Sequence, residues 1–156
     1  MLLHLLRHAE AEPYQADDFS RSLTEKGSKQ ARKIGCFMKE QCLRPDVILT
    51  SPVVRAQQTA EVVSRLLGKA ALTEVPWAAC GMSPDTALAE LSGFAKLGSV
   101  LLVGHEPDFS LLIASLIGLG RSESLQVAKA SLIGVNLPRL QFGSGELQYL
   151  LPVKFL

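Results

Sequence analysis

The sequence predicts an α/β fold of three layers, α-β-α, around a mainly parallel central sheet with an antiparallel edge strand. Three observations predict it. Short apolar runs at Leu2–Leu6, Val47–Leu49 and Ser99–Val103 do not alternate with polar residues, as expected of strands buried on both faces. Helical patterns separate them, which favours parallel crossovers. The last two strand patterns, Leu132–Leu137 and Glu146–Leu150, have only a Gly-rich turn between them (Gly143, Gly145), so they form an antiparallel addition at one edge.

Taken in order, Leu2–Leu6 is a buried strand. A helix then runs to about Cys42, capped by Ser22 or Thr24; Ser22 and Glu25 stand at capping-box spacing. Its apolar face is Ala31, Ile34, Phe37, Met38 and Cys42, and Pro45 ends it before the strand at 47–49. Ser51-Pro52 reads as the next helix start, serine at the cap and proline at the first helical position, with the helix lasting to Gly68. Residues 69–83 are the least readable and hold a possible strand at Ala71–Glu74. Ser83-Pro84 opens a helix through Leu88, Leu91 and Ala95. Glu106-Pro107-Asp108 opens another, through Leu111, Leu112, Ala114, Ser115 and Ile117.

The length of 156 residues suits one domain, 1–156, large enough to build a core without staples. Residues are 47% hydrophobic and 20% charged, a globular balance. Sixteen Lys and Arg against fifteen Asp and Glu leave a net charge of +1, which argues against bulk binding of nucleic acid or anionic membrane but not against a local basic site. Cys36, Cys42 and Cys80 form no C-x-x-C and cannot all pair, as in a reducing compartment. No apolar run reaches the roughly 20 residues of a membrane span. The opening Leu2–Leu6 has no basic segment ahead of it and is too short for a secretory signal. The expected location is cytoplasmic.

Ligands of open parallel sheets bind beyond the carboxyl ends of the strands. There the sequence sets Arg7-His8 after the first strand, Ser51-Pro52 with Arg55 after the second, and Gly104-His105 after the strand at 99–103. Two arginines, two histidines and two helix N-termini on one edge describe a site for a phosphate dianion. A histidine among arginines resists protonation, so one imidazole stays neutral and nucleophilic, with its far nitrogen expected to donate to a backbone carbonyl. The dispersed His and Cys have no metal-ligand spacing, and no metal or cofactor is expected.

These segments, with Arg21-Ser22-Leu23-Thr24-Glu25-Lys26-Gly27 and Ser51 to Thr59, resemble the histidine phosphatase superfamily, whose fold is phosphoglycerate mutase-like. The small size brings the chain nearest to the bacterial SixA-type protein phosphohistidine phosphatases. The resemblance covers essentially the whole chain. It implies His8 as the nucleophile that takes the phosphoryl group, with Arg7, Arg55 and His105 completing the catalytic pocket. Arg21, Ser51 and Glu10 are the expected substrate-binding residues; each also has a plainer reading, as a solvated arginine, a helix cap and a loop carboxylate. Ala9 departs from the Gly that often follows the nucleophile. Larger relatives carry a glutamate general acid in an inserted segment for which this chain has little room between Gly68 and Ser83. His105, Glu10, Asp18 and Glu106 remain the candidate proton donors.

The activity implied is a metal-independent phosphohistidine phosphatase acting on a phosphorylated protein, a histidine phosphotransfer domain or a phosphocarrier protein. The alternatives are a small-molecule phosphomonoesterase of the same superfamily and a non-catalytic phosphate-binding module. His4, two residues into the first strand, reads as a satisfied core histidine. Asp18 reads as a partner for Arg21, and Glu106 as part of a helix cap. Trp77 is either core or pocket rim.

Overall fold

A computed structural model describes residues 1–13 and 17–156. Six strands form one sheet: β1 (Leu2–Arg7), β2 (Val47–Thr50), β3 (Leu72–Glu74), β4 (Ser99–Gly104), β5 (Leu132–Asn136) and β6 (Glu146–Leu151), in the order β3-β2-β4-β1-β5-β6. The first four in that order are mutually parallel. β5 is antiparallel to β1, and β6 is antiparallel to β5. β5 is therefore the one strand that runs against the rest, and β6 closes the edge.

The α-helices among the described residues are α1 (Glu25–Glu40), α2 (Val54–Leu66), α3 (Pro84–Leu91) and α4 (Asp108–Ile117). The strands divide their side chains between two cores, which is why they read as continuous apolar runs. Leu3, Leu5, Leu49, Val100 and Leu102 pack toward α3 and α4 with Leu91, Phe109, Leu112 and Leu116. Leu6, Ile48, Leu101 and Val103 pack toward α1 and α2 with Ala31, Ile34, Met38, Ala56, Ala60 and Val63. Every one of these side chains is fully buried. Transfer of each large one out of water is worth about 1.5–3 kcal/mol.

Local signals explain most helix ends. Thr24, and not Ser22, caps α1, its hydroxyl accepting from Gly27 N–H, and the helix stops at Glu40 rather than Cys42. Ser83 caps α3 by accepting from Thr86 N–H, as the Ser-Pro pattern predicts. That helix stops at Leu91 and passes into a 3₁₀ turn over Ser92–Phe94 instead of continuing to Ala95. The Ser51-Pro52 reading needs correction. α2 begins at Val54 with Val53 at its cap position, two residues later than the dipeptide suggests. Ser51 Oγ does accept from Val53 N–H at 3.2 Å, a turn that imitates a cap, but the Val54 N–H is taken by the Phe19 carbonyl, and the helix starts from there.

Two glycines are required by close approach. A Cβ on Gly27 would lie 1.9 Å from the Glu10 carbonyl oxygen, so the first turn of α1 rests on the backbone that follows His8. A Cβ on Gly104 would lie 2.9 Å from the ring of Phe109, which packs beneath the end of β4. No helix among the described residues is long and apolar enough to cross a membrane.

Candidate active site

Parallel pairing in register assembles the site. Arg7 stands opposite Gly104, so the residues that follow, His8 and His105, leave neighbouring strands side by side. His8 N–H donates to the Gly104 carbonyl at 3.0 Å, and Ser51 N–H to the Val103 carbonyl at 3.0 Å. The ends of β1, β4 and β2 are thereby tied at one level. The imidazoles of His8 and His105 stand 5.4 Å apart between ring centroids, tilted by 53°.

His8 is 7% exposed, and both ring nitrogens are engaged. Nδ1 lies 2.8 Å from the Ala9 carbonyl oxygen, the backbone acceptor expected from the sequence. Nε2 lies 3.2 Å from Nε of Arg55. A carbonyl can only accept and a guanidinium can only donate. Nδ1 therefore carries the proton, and Nε2 presents its lone pair. Burial lowers the His8 pKa to about 3; the Ala9 hydrogen bond opposes this, and the nearby His105, Arg55 and Arg7 add to it. The ring is neutral near pH 7. Ala9 has no positive φ, so the departure from glycine at this position costs the backbone nothing.

A cavity of about 190 Å³ opens beside these groups. Arg7, His8, Arg21, Arg55 and His105 line it, and so do Ala11, Cys80, Glu106 and Lys129. Each guanidinium is fixed from behind. Arg7 Nη1 donates to the Val127 carbonyl at 2.7 Å. Arg55 is buried, with Nη1 on the Asp18 carbonyl at 2.8 Å and Nη2 on the Asp18 carboxylate at 3.1 Å. Arg21 holds the other Asp18 oxygen at 2.7 Å and the Glu12 carbonyl at 2.8 Å. Partial burial pushes the Asp18 pKa upward, but Arg55 and Arg21 outweigh it and hold the carboxyl below its ordinary value. Three buried nitrogens of cavity-lining residues have no hydrogen-bond partner among the described residues: Arg7 Nε, Arg21 Nε and His105 Nδ1. A cavity with several fixed cations and unpaired N–H groups is matched to an oxyanion.

Of the residues singled out in the sequence, Arg7, His8, Arg21, Arg55 and His105 converge, and two others do not. Glu10 is turned out of the cavity, its carboxylate 2.9 Å from Lys26 Nζ, a partner on the first turn of α1. Ser51 is fully buried behind the cavity wall, with its hydroxyl 2.8 Å from His105 Nε2. The helix N-termini also contribute less than expected. N–H groups at the start of α2 are taken by Ser51 and Phe19, and on α4 the Ser110 N–H is held by Glu106. The positive charge of the site comes chiefly from side chains.

Sequence reasoning missed the double engagement of Asp18 and the placement of Lys129 and Cys80. Asp18 stands three residues before Arg21, a visible spacing, but its bond to Arg55 spans 37 positions and had no local signal. Lys129 lies on the loop before β5, exposed at the cavity mouth, with no ion-pair partner among the described residues. Among those residues no three His, Cys, Asp or Glu side chains gather as a metal site.

Comparison with known proteins gives a consistent result. The family model of the histidine phosphatase superfamily (branch 1) matches residues 3–79. The chain is 33% identical over 122 residues to phosphohistidine phosphatase SixA of Escherichia coli K12, covering 74% of each protein. It is 33% identical over 134 residues to the SixA homologue of Haemophilus influenzae, covering 76% of this chain and 78% of that one. Among solved structures, that of the protein histidine phosphatase SixA complexed with tungstate superimposes with a TM-score of 0.89 at 25% identity, over 99% of both chains.

Proposed function

Because the chain belongs to the histidine phosphatase superfamily, we propose that this phosphatase removes the phosphoryl group from a phosphohistidine on a protein partner through a phospho-His8 intermediate. The observation that carries the reading is the neutral His8, its Nδ1–H bonded to Ala9 and its Nε2 lone pair facing Arg55 beside an arginine-lined cavity. The likeness to SixA proteins, one of them solved with a tetrahedral oxyanion, supports the substrate class.

Two displacements follow. In the first, the Nε2 lone pair of His8 attacks phosphorus in line. The substrate imidazole carries a proton on its other ring nitrogen; as its P–N bond breaks the electron pair stays on the departing nitrogen, and neutral imidazole leaves. Arg55 must release Nε2 and turn its N–H to a phosphoryl oxygen as the attack begins. Arg7, Arg21 and His105 bind the other oxygens, and the arginines supply the positive charge without a metal. In the second, water attacks phosphorus, the bond to His8 breaks, and phosphate leaves with the proton that water gives up. Nδ1–H stays on the Ala9 carbonyl throughout, so the nitrogen that reacts is always Nε2.

The leaving group argues for P–N cleavage. Between α2 and α3 there are only the short β3 and one 3₁₀ turn, and no inserted segment to carry an acid. An imidazole protonated on its other ring nitrogen departs neutral and needs no acid from the enzyme, whereas an alkoxide does, and that acid is worth about 10²–10⁴-fold in rate. The partner proposed is a histidine phosphotransfer domain or phosphocarrier protein, and Lys129 at the mouth faces its surface. A second reading, a small-molecule phosphomonoesterase, is favoured by one observation: Glu106 is a carboxylate in the cavity wall.

Activity measured side by side on a phosphohistidine protein and a panel of phosphomonoesters separates the readings. The first expects turnover of the phosphohistidine protein, little on esters, and little change in Glu106→Gln. Ester turnover that collapses in Glu106→Gln establishes the second. Rapid mixing with labelled substrate must also show an acid-labile, base-stable phosphoryl group on the wild type and none on His8→Ala. Its absence from the wild type sinks the intermediate.

A further inference from the structure

Ser51 has no place in the chemistry above, yet it is fully buried against the cavity and touches one of its histidines. Its oxygen already accepts from the Val53 N–H at 3.2 Å. Its own proton then needs an acceptor, because a buried hydroxyl with an unpaired proton is destabilising. Among the described residues the one group within reach is Nε2 of His105, at 2.8 Å. The other nitrogen of that ring, Nδ1, is buried, has no partner among the described residues and belongs to a residue of the cavity wall.

We propose that Ser51 donates its hydroxyl proton to Nε2 of His105 and thereby holds His105 as the Nδ1–H tautomer, so that the cavity receives an N–H donor from this ring and not a lone pair. Ser51 is thus a positioning residue, acting on the ligand through His105. The reverse arrangement fails on pairing. With the proton on Nε2, Ser51 Oγ would accept two N–H groups and its own proton would point at nothing. The surroundings of His105 keep the ring neutral, as the tautomer requires. Burial, followed by Arg55 and Arg7, lowers its pKa to about 4, with Asp18 opposing.

The two histidines are then used in opposite senses. His8 turns its Nδ1–H away to a carbonyl and offers Nε2 to phosphorus. His105 turns Nε2 away to a hydroxyl and offers Nδ1–H to a phosphoryl oxygen. Different backing groups produce the difference, a carbonyl that can only accept and a hydroxyl that can donate.

Long-range ¹H–¹⁵N correlation spectra of the ligand-free protein at pH 7.5 test this directly. The expected pattern for His105 is a protonated Nδ1 and a bare Nε2, the tautomer that free histidine disfavours. A His105 with Nε2 protonated, whether neutral or cationic, overturns the proposal from the wild type alone. In Ser51→Ala, with its fold checked by amide shifts, the ring should move toward the Nε2–H form, and inorganic phosphate should bind about tenfold more weakly. An unchanged ring pattern or unchanged phosphate affinity in that variant also overturns it. None of these outcomes depends on which phosphorylated partner the enzyme serves.

Discussion

His4 and His8 lie on the same chain segment, four residues apart, and both are almost wholly buried. His4 hydrogen-bonds the Tyr149 hydroxyl, and its ring stacks on that of Tyr149, 6.1 Å between centroids. Burial alone brings its pKa to about 4. His8 reaches about 3 by burial together with the charges of Arg55 and Arg7 and the neighbouring imidazole of His105. A depressed pKa therefore does not distinguish the two. What does is the second nitrogen. His4 sits in the sheet among apolar residues, and Nε2 of His8 is at the strand's end, where the chain turns from the core toward arginines and a cavity.

The sharpest way to break that contrast is to remove each ring in turn. His8→Ala should lose about 10⁴-fold or more in kcat/KM, as expected for removal of a nucleophile. His4→Gln, which keeps a polar partner for Tyr149, should stay within about twofold of wild type. Comparable losses in the two variants, measured on a phosphohistidine protein, would show that the contrast drawn here is false. Arg55→Lys comes next, with an expected loss of about 10²–10³-fold in kcat, because lysine cannot serve His8, Asp18 and a phosphoryl oxygen from one planar fork.

Stability against pH gives a smaller and independent measure. The folded pKa values of His4, His8 and His105 all lie below the ordinary 6.5. On acidification the unfolded chain takes up protons first, so stability is full above about pH 6.5 and falls as pH drops toward 4. His4→Gln removes one of the three contributions. Its urea-unfolding free energy should decline between pH 7.5 and 5 by about 2 kcal/mol less than that of wild type. An identical decline would mean that His4 protonates in the native state as readily as in the unfolded one. The smallest effect is expected at the rim. Lys129→Glu should raise KM for an acidic phosphohistidine protein by about 3–10-fold, with kcat unchanged, and the difference should shrink at high salt.

Much of this was legible in the sequence, and the reasons are physical. Strands buried on both faces announce themselves as apolar runs, and the residues just beyond them must meet at one edge once the strands are parallel. Arg7, His8 and His105 could be placed on that basis alone. Ser83 was equally readable, because a cap is decided within four residues. What escaped notice depends on partners far along the chain. Glu10 is drawn away by Lys26, sixteen positions on, and the Ser-Pro start of α2 is overruled by the Phe19 carbonyl. Asp18, Lys129 and the hydroxyl–imidazole pair of Ser51 and His105 form only after distant loops close on the sheet.

The strand order has a practical consequence. Arg7, His8, His105 and Arg55 lie at or just after the ends of β1, β4 and β2, which are flanked on both sides by other strands. β3, exposed at every position, and β6 stand outside them. Fraying, sequence drift or a new contact at either margin would be absorbed by strands that carry none of the reacting atoms. Change can accumulate at the borders of this sheet while the distance between two imidazoles at its centre stays the same.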